Sequence, residues 1–245
     1  MTTWTKLKLG NKTFSSVVRI LDEMKEVVFD KQFLATANMD LELYYMFRDV
    51  SKHDTDAAKI KVHGLRYDIT IIPPNTLGSE FVKTAGHYHP LLPDSNLTYP
   101  EMYEVLEGEA HYLLQRRAEG TGTERITDVI LVKAKEGDKV VIPPNYGHVT
   151  INPSETVLTM ANWVAREFAS IYEPIKRRCG AAYYELTNGE FIKNVNYETV
   201  PDIRVLKPSD TWLNGIELNK EEAMYALIRE PAKLAFLTNP TSVFT

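Results

Sequence analysis

Apolar residues in the first quarter of the chain follow two different patterns. Those between residues 17 and 28 have the spacing of one helix face and predict a short helix; they are Val17, Val18, Leu21, Met24, Val27 and Val28. Residues 40–50 form an extended, aromatic-rich segment, and the polar stretch 51–58 predicts a loop and the best candidate linker. Helical and extended character therefore alternate before residue 64.

From residue 64 to residue 164 the pattern changes to short β-rich runs separated by turn residues. The runs cover residues 66–72, 80–86, 102–106, 110–116, 129–134, 139–142, 147–151 and 157–164. No helix longer than a turn fits between them. Because closure removes the exposed edges of so many short strands, this block predicts a closed or nearly closed antiparallel sandwich or barrel.

The segment after residue 166 is mixed. Residues 183–187 and 190–195, joined by Asn188 and Gly189, predict a hairpin, because Asn-Gly suits a tight turn with positive φ. Asn219 predicts the cap of a helix that runs to Arg229 and ends before Pro231. We interpret residues 1–245 as a single domain with a barrel core at about 64–164, whose flanks cover the barrel or form a dimer interface.

Composition narrows the classes of function. The 245 residues are 44% hydrophobic and 25% charged, which is typical of a globular protein. With 28 Lys and Arg against 33 Asp and Glu, the net charge of -5 argues against nucleic-acid binding through bulk positive charge. A small anionic metabolite stays compatible with this charge, because it needs only one local pocket.

Cysteine usage and the termini indicate the compartment. The single cysteine, Cys179, allows no intramolecular disulfide, and the first residues lack the apolar core of a signal peptide. No apolar run approaches the roughly 20 residues of a membrane span. These features predict a soluble cytoplasmic protein with no membrane partner.

Three histidines and one glutamate have a pattern that suits a metal ion. His87 and His89 are two residues apart, which places both imidazoles on one face of a strand. This pair alone is weak support for a metal site, but Glu101 and His148 add a carboxylate and a third imidazole. Such a nitrogen and oxygen set without thiolates suits Fe, Mn, Co, Ni or Zn.

The sequence around His148 resembles the second motif of the cupin family. The matching residues are Gly137, Pro143, His148 and Asn152. Asn145 stands where the family usually has a turn glycine, and Asn is the non-glycine residue that best tolerates positive φ. The first cupin motif differs, since eleven residues separate His89 from Glu101, a longer gap than in most cupins.

That longer gap resembles the cupin-type glucose-6-phosphate isomerases of archaea and some bacteria. Their signature, T-x3-P-x3-G-x-E-x3-T-x-G-H-x-H, a gap and Y-x-E, is matched by Thr70, Pro74, Gly78, Glu80, Thr84, Gly86, His87, His89, Tyr99 and Glu101. Pro143, Pro144, His148 and Asn152 match the P-P-x3-H-x3-N that follows. The resemblance covers about residues 66–162, and only loosely the flanks.

The resemblance implies a mainly β fold, a cupin jelly-roll barrel with mixed helix and strand extensions at both ends. It also implies one divalent ion per subunit, held by His87, His89, Glu101 and His148, with iron favoured and Mn, Ni, Co or Zn as alternatives. The substrate would be a sugar phosphate and the assembly a homodimer. Thr70, Thr84 and the Gly86 amide would hold the phosphate.

Glu101 is the carboxylate best placed to carry a proton between C1 and C2, although a bound carboxylate is a weaker base than a free one. Tyr103, two residues further on, shares its face and offers a relay hydroxyl or a packed core tyrosine. A hydride shift would avoid a base altogether. Rival interpretations are a cupin dioxygenase and a non-catalytic sugar-binding cupin.

Other polar residues have open roles. His111 has the alternation of an inward-facing residue and could contact the sugar, whereas His53 and His63 lie in or beside the polar loop and are expected in solvent. Tyr44, Tyr45 and Arg48 could face the phosphate. Alternation does not say which of these last three point inward.

Overall fold

The computed structural model describes residues 4–118, 120, 125–211 and 220–244. The strands, in chain order, are β1 (Lys6–Leu9), β2 (Lys12–Ser15), β3 (Val17–Ile20), β4 (Glu42–Phe47), β5 (Leu65–Ile72), β6 (Thr76–Leu77), β7 (Glu80–Phe81), β8 (Glu101–Glu107), β9 (Glu109–Arg117), β10 (Ile126–Lys135), β11 (Lys139–Ile142), β12 (Tyr146–Ile151), β13 (Leu158–Ala165), β14 (Tyr183–Glu185), β15 (Phe191–Lys193) and β16 (Ile203–Leu206). The α-helices are α1 (Lys31–Thr36), α2 (Asp54–Val62) and α3 (Glu173–Lys176). Short 3-10 helices cover Leu21–Glu23, Lys25–Val27, Pro208–Thr211, Met224–Arg229, Pro231–Leu237 and Pro240–Ser242.

Two sheets form the body of the molecule. One has the strand order β11-β8-β13-β5-β4-β3 and the other β12-β9-β10-β16. All pairs within them are antiparallel except β10 with β16. The inner faces of both sheets meet in one apolar core, which contains Val105 from the first sheet and Leu114 and Val132 from the second. This is the mainly β jelly-roll arrangement expected from the sequence, with two facing sheets in place of a fully closed ladder.

The flanking segments cover the outer faces of these sheets. The 3-10 helices at residues 224–237 and Ile60 of α2 pack against Trp163 behind the first sheet. The hairpin of β14 and β15 packs behind the second sheet through Ala182 and Tyr183. This hairpin confirms the prediction made from Asn188 and Gly189. Among the described residues, no helix combines the length and the apolar character needed to cross a membrane.

The helix predicted over residues 17–28 is wrong in type. Val17 to Ile20 form β3, paired with β4 at Val17 and Met46, and two 3-10 turns follow. The β-branched Val17 and Val18 favour this extended pairing over a helix. The apolar residues later in this segment are nevertheless buried, as their spacing predicted, since Leu21, Met24 and Val27 are fully or almost fully buried.

The polar stretch 51–58, predicted as a loop, contains the start of α2. Asp54 and Asp56 lie in its first turn and Lys59 and Lys61 in its last, so that both charge pairs complement the helix dipole. The strand predicted over residues 80–86 is also too long. Only Glu80 and Phe81 form a strand, and Lys83 further along forms an isolated bridge with Ile151.

The predicted helix from Asn219 to Arg229 is wrong where it can be compared. Asn219 lies outside the described residues, and residues 224–229 form a 3-10 helix after a turn. The prediction for the central block is confirmed, because its described residues form strands and turns without a helix. Asn145 adopts φ 69°, as expected for a substitute of the turn glycine.

Candidate metal centre and substrate pocket

The four predicted ligands come from three separate parts of the chain. His87 and His89 lie in the bridged segment after β7, Glu101 begins β8 in the first sheet, and His148 lies on β12 in the second. The backbones of His87 and His148 pair directly, with N···O distances of 3.2 and 3.0 Å. Gly86 allows this approach, since it has φ +75° and a Cβ there would lie 2.5 Å from Cγ2 of Val149. The ligand set therefore connects both sheets.

The ligand atoms of these four residues converge on one point. They all lie within 4.8 Å of one another. Nε2 of His87 is 3.1 Å from Nε2 of His89, while Oε2 of Glu101 is 3.3 Å from Nε2 of His89 and 3.2 Å from Nε2 of His148. His89, Glu101 and His148 are almost fully buried. Three imidazole nitrogens and one carboxylate oxygen thus face each other in a desolvated space.

Burial and the neighbouring groups set the protonation of this cluster. Burial lowers the pKa of His87 well below its usual value, and the neighbouring His148 and His89 lower it further. Burial also lowers the pKa of His148. For Glu101, burial works to raise the pKa of the carboxyl, but contacts from His148 and His89 outweigh it and hold that pKa well below its ordinary value. Neutral imidazole and ionised carboxylate are the forms that bind metal ions.

The residues fit a divalent ion. Within the described part of the chain, Oε2 of Glu101 is a buried oxygen without a hydrogen-bond partner, although three imidazoles surround it. A buried carboxylate oxygen left unpaired is costly, and a cation at the centre of the cluster would pair it. Three nitrogens and one oxygen also match the donor types of Fe, Mn, Co, Ni and Zn.

Hydrogen bonds outside the cluster orient two of the ligands. Nδ1 of His89 lies 2.8 Å from the carbonyl oxygen of Tyr99, so that Nδ1 carries the proton and Nε2 is left for the cluster. Nδ2 of Asn162 donates to Oε1 of Glu101 at 2.6 Å, which leaves Oε2 facing the histidines. Asn162 was not predicted as a site residue from the sequence.

The insertion between His89 and Glu101 takes part in this support. Tyr99 supplies the carbonyl that accepts from His89, and its ring stacks on Phe168 at 4.9 Å. Thr98 and Asn145 exchange two hydrogen bonds, since Asn145 N donates to Oγ1 of Thr98 and Thr98 N donates to Oδ1 of Asn145. The insertion therefore joins the turn of the second motif to the first ligand pair.

A pocket opens onto the cluster. The sequence-predicted residues Thr70, Thr84, Gly86 and Tyr103 all line it together with the four candidate ligands. The Tyr103 hydroxyl lies 3.2 Å from Nε2 of His148, and burial raises its pKa well above the usual value, which keeps the hydroxyl protonated. Oγ1 of Thr84 accepts from Thr150 N at 3.0 Å, which fixes the side chain in place.

The structure shows which of the three residues that could face the phosphate line the pocket. Tyr44 and Arg48 line the pocket, whereas Tyr45 packs on the outer face of the first sheet. Arg66 also lines the pocket, and sequence reasoning missed it. Arg66 lies on the same face of β5 as Thr70, so the alternation of the strand was a signal that could have predicted it.

The remaining histidines lie away from the pocket. His111 contacts Glu185 in a separate cleft behind the second sheet, with Nδ1 2.7 Å from Oε1. His53 and His63, at the two ends of α2, are exposed, as expected. The three histidines of the cluster therefore line the pocket, whereas the other three histidines do not.

A family model described as glucose-6-phosphate isomerase (GPI) matches residues 18–202, about three quarters of the chain. The chain belongs to the glucose-6-phosphate isomerase family. The matched range contains all four candidate ligands and the three threonine and glycine residues of the pocket.

Curated relatives carry the same family name. The glucose-6-phosphate isomerase of Thermococcus litoralis is 32% identical over 91 residues, which cover 37% of this chain and 41% of that protein. The enzyme of Pyrococcus abyssi is 26% identical over 140 residues, or 57% of this chain and 64% of that protein. The chain thus spans less than two thirds of the length of these relatives.

Solved structures give more distant similarity. Oxalate decarboxylase from Bacillus subtilis aligns with a TM-score of 0.37 at 16% identity, over 57% of this chain and 30% of that one. A vicilin from hazelnut, Corylus avellana, aligns with a TM-score of 0.37 at 13% identity, over 64% of this chain and 32% of that one.

Proposed function

We propose that this member of the glucose-6-phosphate isomerase family interconverts glucose 6-phosphate and fructose 6-phosphate with a divalent metal ion. The observation that carries the proposal is the convergence of His87, His89, Glu101 and His148 in the lining of a pocket that hydroxyl groups also line. An aldose-ketose isomerase needs a polarised carbonyl, a proton carrier and a grip on the phosphate. Residues suited to each task line this pocket.

The metal would be iron by preference, with Mn, Ni, Co and Zn as alternatives, held by the four ligands named above. When bound, such an ion polarises the carbonyl oxygen of the sugar as a Lewis acid. The low pKa values of His87 and His148 support this assignment, because neutral imidazoles need no proton release before they coordinate.

Glu101 would carry the proton. The carboxylate would take the proton from C2 of the aldose, which leaves an enediolate, and would return it to C1 once a proton has moved from the C2 oxygen to the C1 oxygen, which gives the ketose. Oε1 would perform this task, because Oε2 is the oxygen that faces the histidines. The hydrogen bond from Nδ2 of Asn162 to Oε1, at 2.6 Å, holds the carboxylate in this orientation. The Tyr103 hydroxyl, protonated at neutral pH, would relay the proton between the two sugar oxygens.

The phosphate would bind at Thr70, Thr84 and the Gly86 amide. Hydroxyl groups and backbone amides hold a phosphate without bulk positive charge. Thr84 is held in place by its two contacts with Thr150, one through the backbone and one through the side chain. A rigid hydroxyl loses little entropy when it binds the ligand.

A metal add-back assay tests the function. Metal-stripped protein is assayed on fructose 6-phosphate in a coupled assay, and Fe, Mn, Co, Ni or Zn is then restored separately. We expect no turnover without metal and recovery with at least one ion, iron being the best. Equal turnover before and after metal removal would disprove metal dependence, and no turnover with any ion would disprove the isomerase.

The phosphate grip is tested by Thr84→Val, with Thr84→Ser as the matched control that keeps the hydroxyl. Loss of one hydrogen bond to a charged group costs about 1.5 to 3 kcal/mol, so KM for fructose 6-phosphate should rise about ten- to a hundredfold in the valine variant only. The same rise in the serine variant would show that the hydroxyl does not hold the phosphate.

We also propose that residues 1–245 form one domain, because strands from both flanks join the two sheets and flanking segments cover their outer faces. A homodimer and a cytoplasmic location accord with the family resemblance. Light scattering of the purified chain tests the dimer, which predicts twice the chain mass.

A further inference from the structure

Tyr88 lies between two of the candidate ligands, and its side chain points away from the pocket. His87 and His89 both line the pocket and Tyr88 does not, as the alternation of an extended segment requires. Tyr88 is instead buried, with 2% of the residue exposed, against Gly147 and Gln115. The residue that joins the two histidines is therefore anchored outside the candidate centre.

The backbone around Tyr88 is paired only at isolated points. Within the described residues, His87 forms one isolated bridge with His148 and Tyr88 forms another with Ile171, so no continuous ladder runs through the two histidines. Tyr88 and Ile171 exchange backbone hydrogen bonds of 3.0 and 2.8 Å. Because a bridged segment opens locally at lower cost than a strand inside a ladder, the side-chain contacts of Tyr88 gain importance.

The ring of Tyr88 occupies the space beside Gly147. A Cβ at Gly147 would lie 2.6 Å from Cε1 and Cζ of Tyr88 and 2.7 Å from Cε2, closer than such atoms pack. The φ of Gly147 is not positive, so the backbone does not require a glycine there, whereas the ring does. Gly147 directly precedes His148 on β12. The ring thus lies against the strand that carries a third candidate ligand.

The hydroxyl of Tyr88 is held by Gln115, which lies opposite Gly147 on β9. Nε2 of Gln115 donates to the Tyr88 hydroxyl at 2.7 Å and to the Tyr197 hydroxyl at 3.1 Å. Oε1 of Gln115 accepts from the backbone N of Ala182 at 2.6 Å, which fixes the orientation of the amide. Gln115 is 1% exposed, and a buried amide with satisfied donor and acceptor groups is a rigid support.

We propose that Tyr88 is a positioning residue that fixes its two neighbouring histidines relative to His148. Its ring acts at Gly147 and its hydroxyl at Gln115, and it touches neither the metal nor the substrate. Metal binding and the reaction both require ligands held in a defined geometry, so a displaced histidine lowers metal affinity and rate together. The effect on the rate rests on the proposed function, whereas the effect on metal affinity rests on the candidate centre alone.

Tyr88→Phe tests this role, with Tyr197→Phe as the matched control. Each variant removes one hydroxyl that accepts from the same Nε2 of Gln115, but the Tyr197 hydroxyl donates to the carbonyl of Gly180, away from the histidines. Urea unfolding of the metal-free protein measures the stability of each variant. Competition with a chelator measures the affinity for Mn²⁺, and the coupled assay measures kcat and KM.

We expect both variants to lose similar stability, while Tyr88→Phe alone lowers the affinity for Mn²⁺, by about tenfold, the lower end of the range for outer partners of metal ligands. At saturating Mn²⁺, its kcat on fructose 6-phosphate should fall while KM stays within about twofold. An equal or larger loss of Mn²⁺ affinity in Tyr197→Phe would make Tyr88 an ordinary structural residue and overturn the proposal. Unchanged affinity in Tyr88→Phe would overturn it too.

A second set of variants tests the contact at Gly147. Gly147→Ala places a Cβ against the ring and should lower the affinity for Mn²⁺ about ten- to a hundredfold. Leucine lacks Cε1, Cζ and Cε2, so Gly147→Ala added to Tyr88→Leu should cost less than about threefold more. Equal costs in both backgrounds would show that the glycine does not serve the ring, and would contradict the proposal.

The proposed function fails by a different result. Absence of turnover of fructose 6-phosphate in the unchanged, metal-loaded chain would contradict the isomerase reaction. The difference in Mn²⁺ affinity between Tyr88→Phe and Tyr197→Phe needs no substrate and would still report on the positioning role.

Discussion

Histidine and glutamate side chains contact each other in two regions of the described structure, one at the candidate metal centre and one behind the second sheet. Glu101 faces His89 and His148 at 3.3 and 3.2 Å, and Glu185 faces His111 at 2.7 and 2.9 Å. All five side chains are buried. Residue types and burial therefore do not distinguish the two regions.

The hydrogen bonding does distinguish them. Both oxygens of Glu185 lie within hydrogen-bond distance of Nδ1 of His111, so this pair is complete by itself. At the candidate centre, Oε2 of Glu101 forms no hydrogen bond with a described residue, although Nε2 of His148 and Nε2 of His89 lie 3.2 and 3.3 Å away. A buried carboxylate oxygen without a hydrogen bond among converging imidazoles, rather than proximity of histidine and glutamate, is the feature that fits a cation.

The largest expected difference concerns the metal. His148→Ala removes one of the four candidate ligands and should lower metal affinity by more than about a hundredfold, beyond the effect of losing an outer hydrogen bond. His111→Ala should leave the metal content unchanged. Mass spectrometry of metal per chain measures both, with circular dichroism as the check on folding. Full occupancy and full activity in His148→Ala would remove the distinction between the two regions.

The two glutamates should differ next in turnover. Glu101→Gln keeps an oxygen for the metal but accepts no proton, so turnover should fall by about a hundredfold or more while most metal stays. Glu185→Gln should not change turnover. A parallel assay with deuterium at C2 of glucose 6-phosphate separates the routes, because a hydride shift retains the label at C1 and an enediol loses it to solvent. Full retention together with a fast Glu101→Gln protein would leave Glu101 as a ligand only.

Asn162 gives a finer test of the difference between the two regions, because it donates a hydrogen bond to Glu101 and not to Glu185. Asn162→Ala removes the 2.6 Å hydrogen bond to Oε1 and should lower metal affinity about ten- to a hundredfold. Asn152→Ala is the matched control, because that buried amide donates to the backbone carbonyls of Ile72 and Thr156 and should affect stability only. Equal loss of metal in both variants would indicate a general effect on the fold.

The smallest effect is expected for stability at the second region. Glu185→Gln removes the charge that faces His111 and should cost about 1 to 3 kcal/mol of unfolding free energy, without a change in metal content. Urea denaturation measures the cost, and Glu190→Gln, exposed in the same hairpin, is the control. Metal loss in Glu185→Gln would mean that the two regions are coupled.

Turn and strand patterns allowed much of the central block to be predicted. Short runs bounded by Gly, Pro and Asn predicted β8 to β13 within a few residues, and Asn188-Gly189 predicted the hairpin of β14 and β15. These features depend on local backbone chemistry, which the sequence carries directly. Residues 17–20 show the limit, since pairing with β4 overrode the helical spacing.

For the site, the sequence by itself determined the donor types. His87, His89, Glu101 and His148 follow from motif spacing, and Thr70, Thr84, Gly86 and Tyr103 from the resemblance and from alternation. Only the tertiary structure decided which residues surround them. In the structure, Tyr44 and Arg48 line the pocket, whereas Tyr45 packs outside it. Asn162 and Arg66 also line the pocket, and His111 lies in a separate cleft. The physical reason is that alternation defines two faces of a strand, whereas only the packing of one sheet on another decides which face is buried.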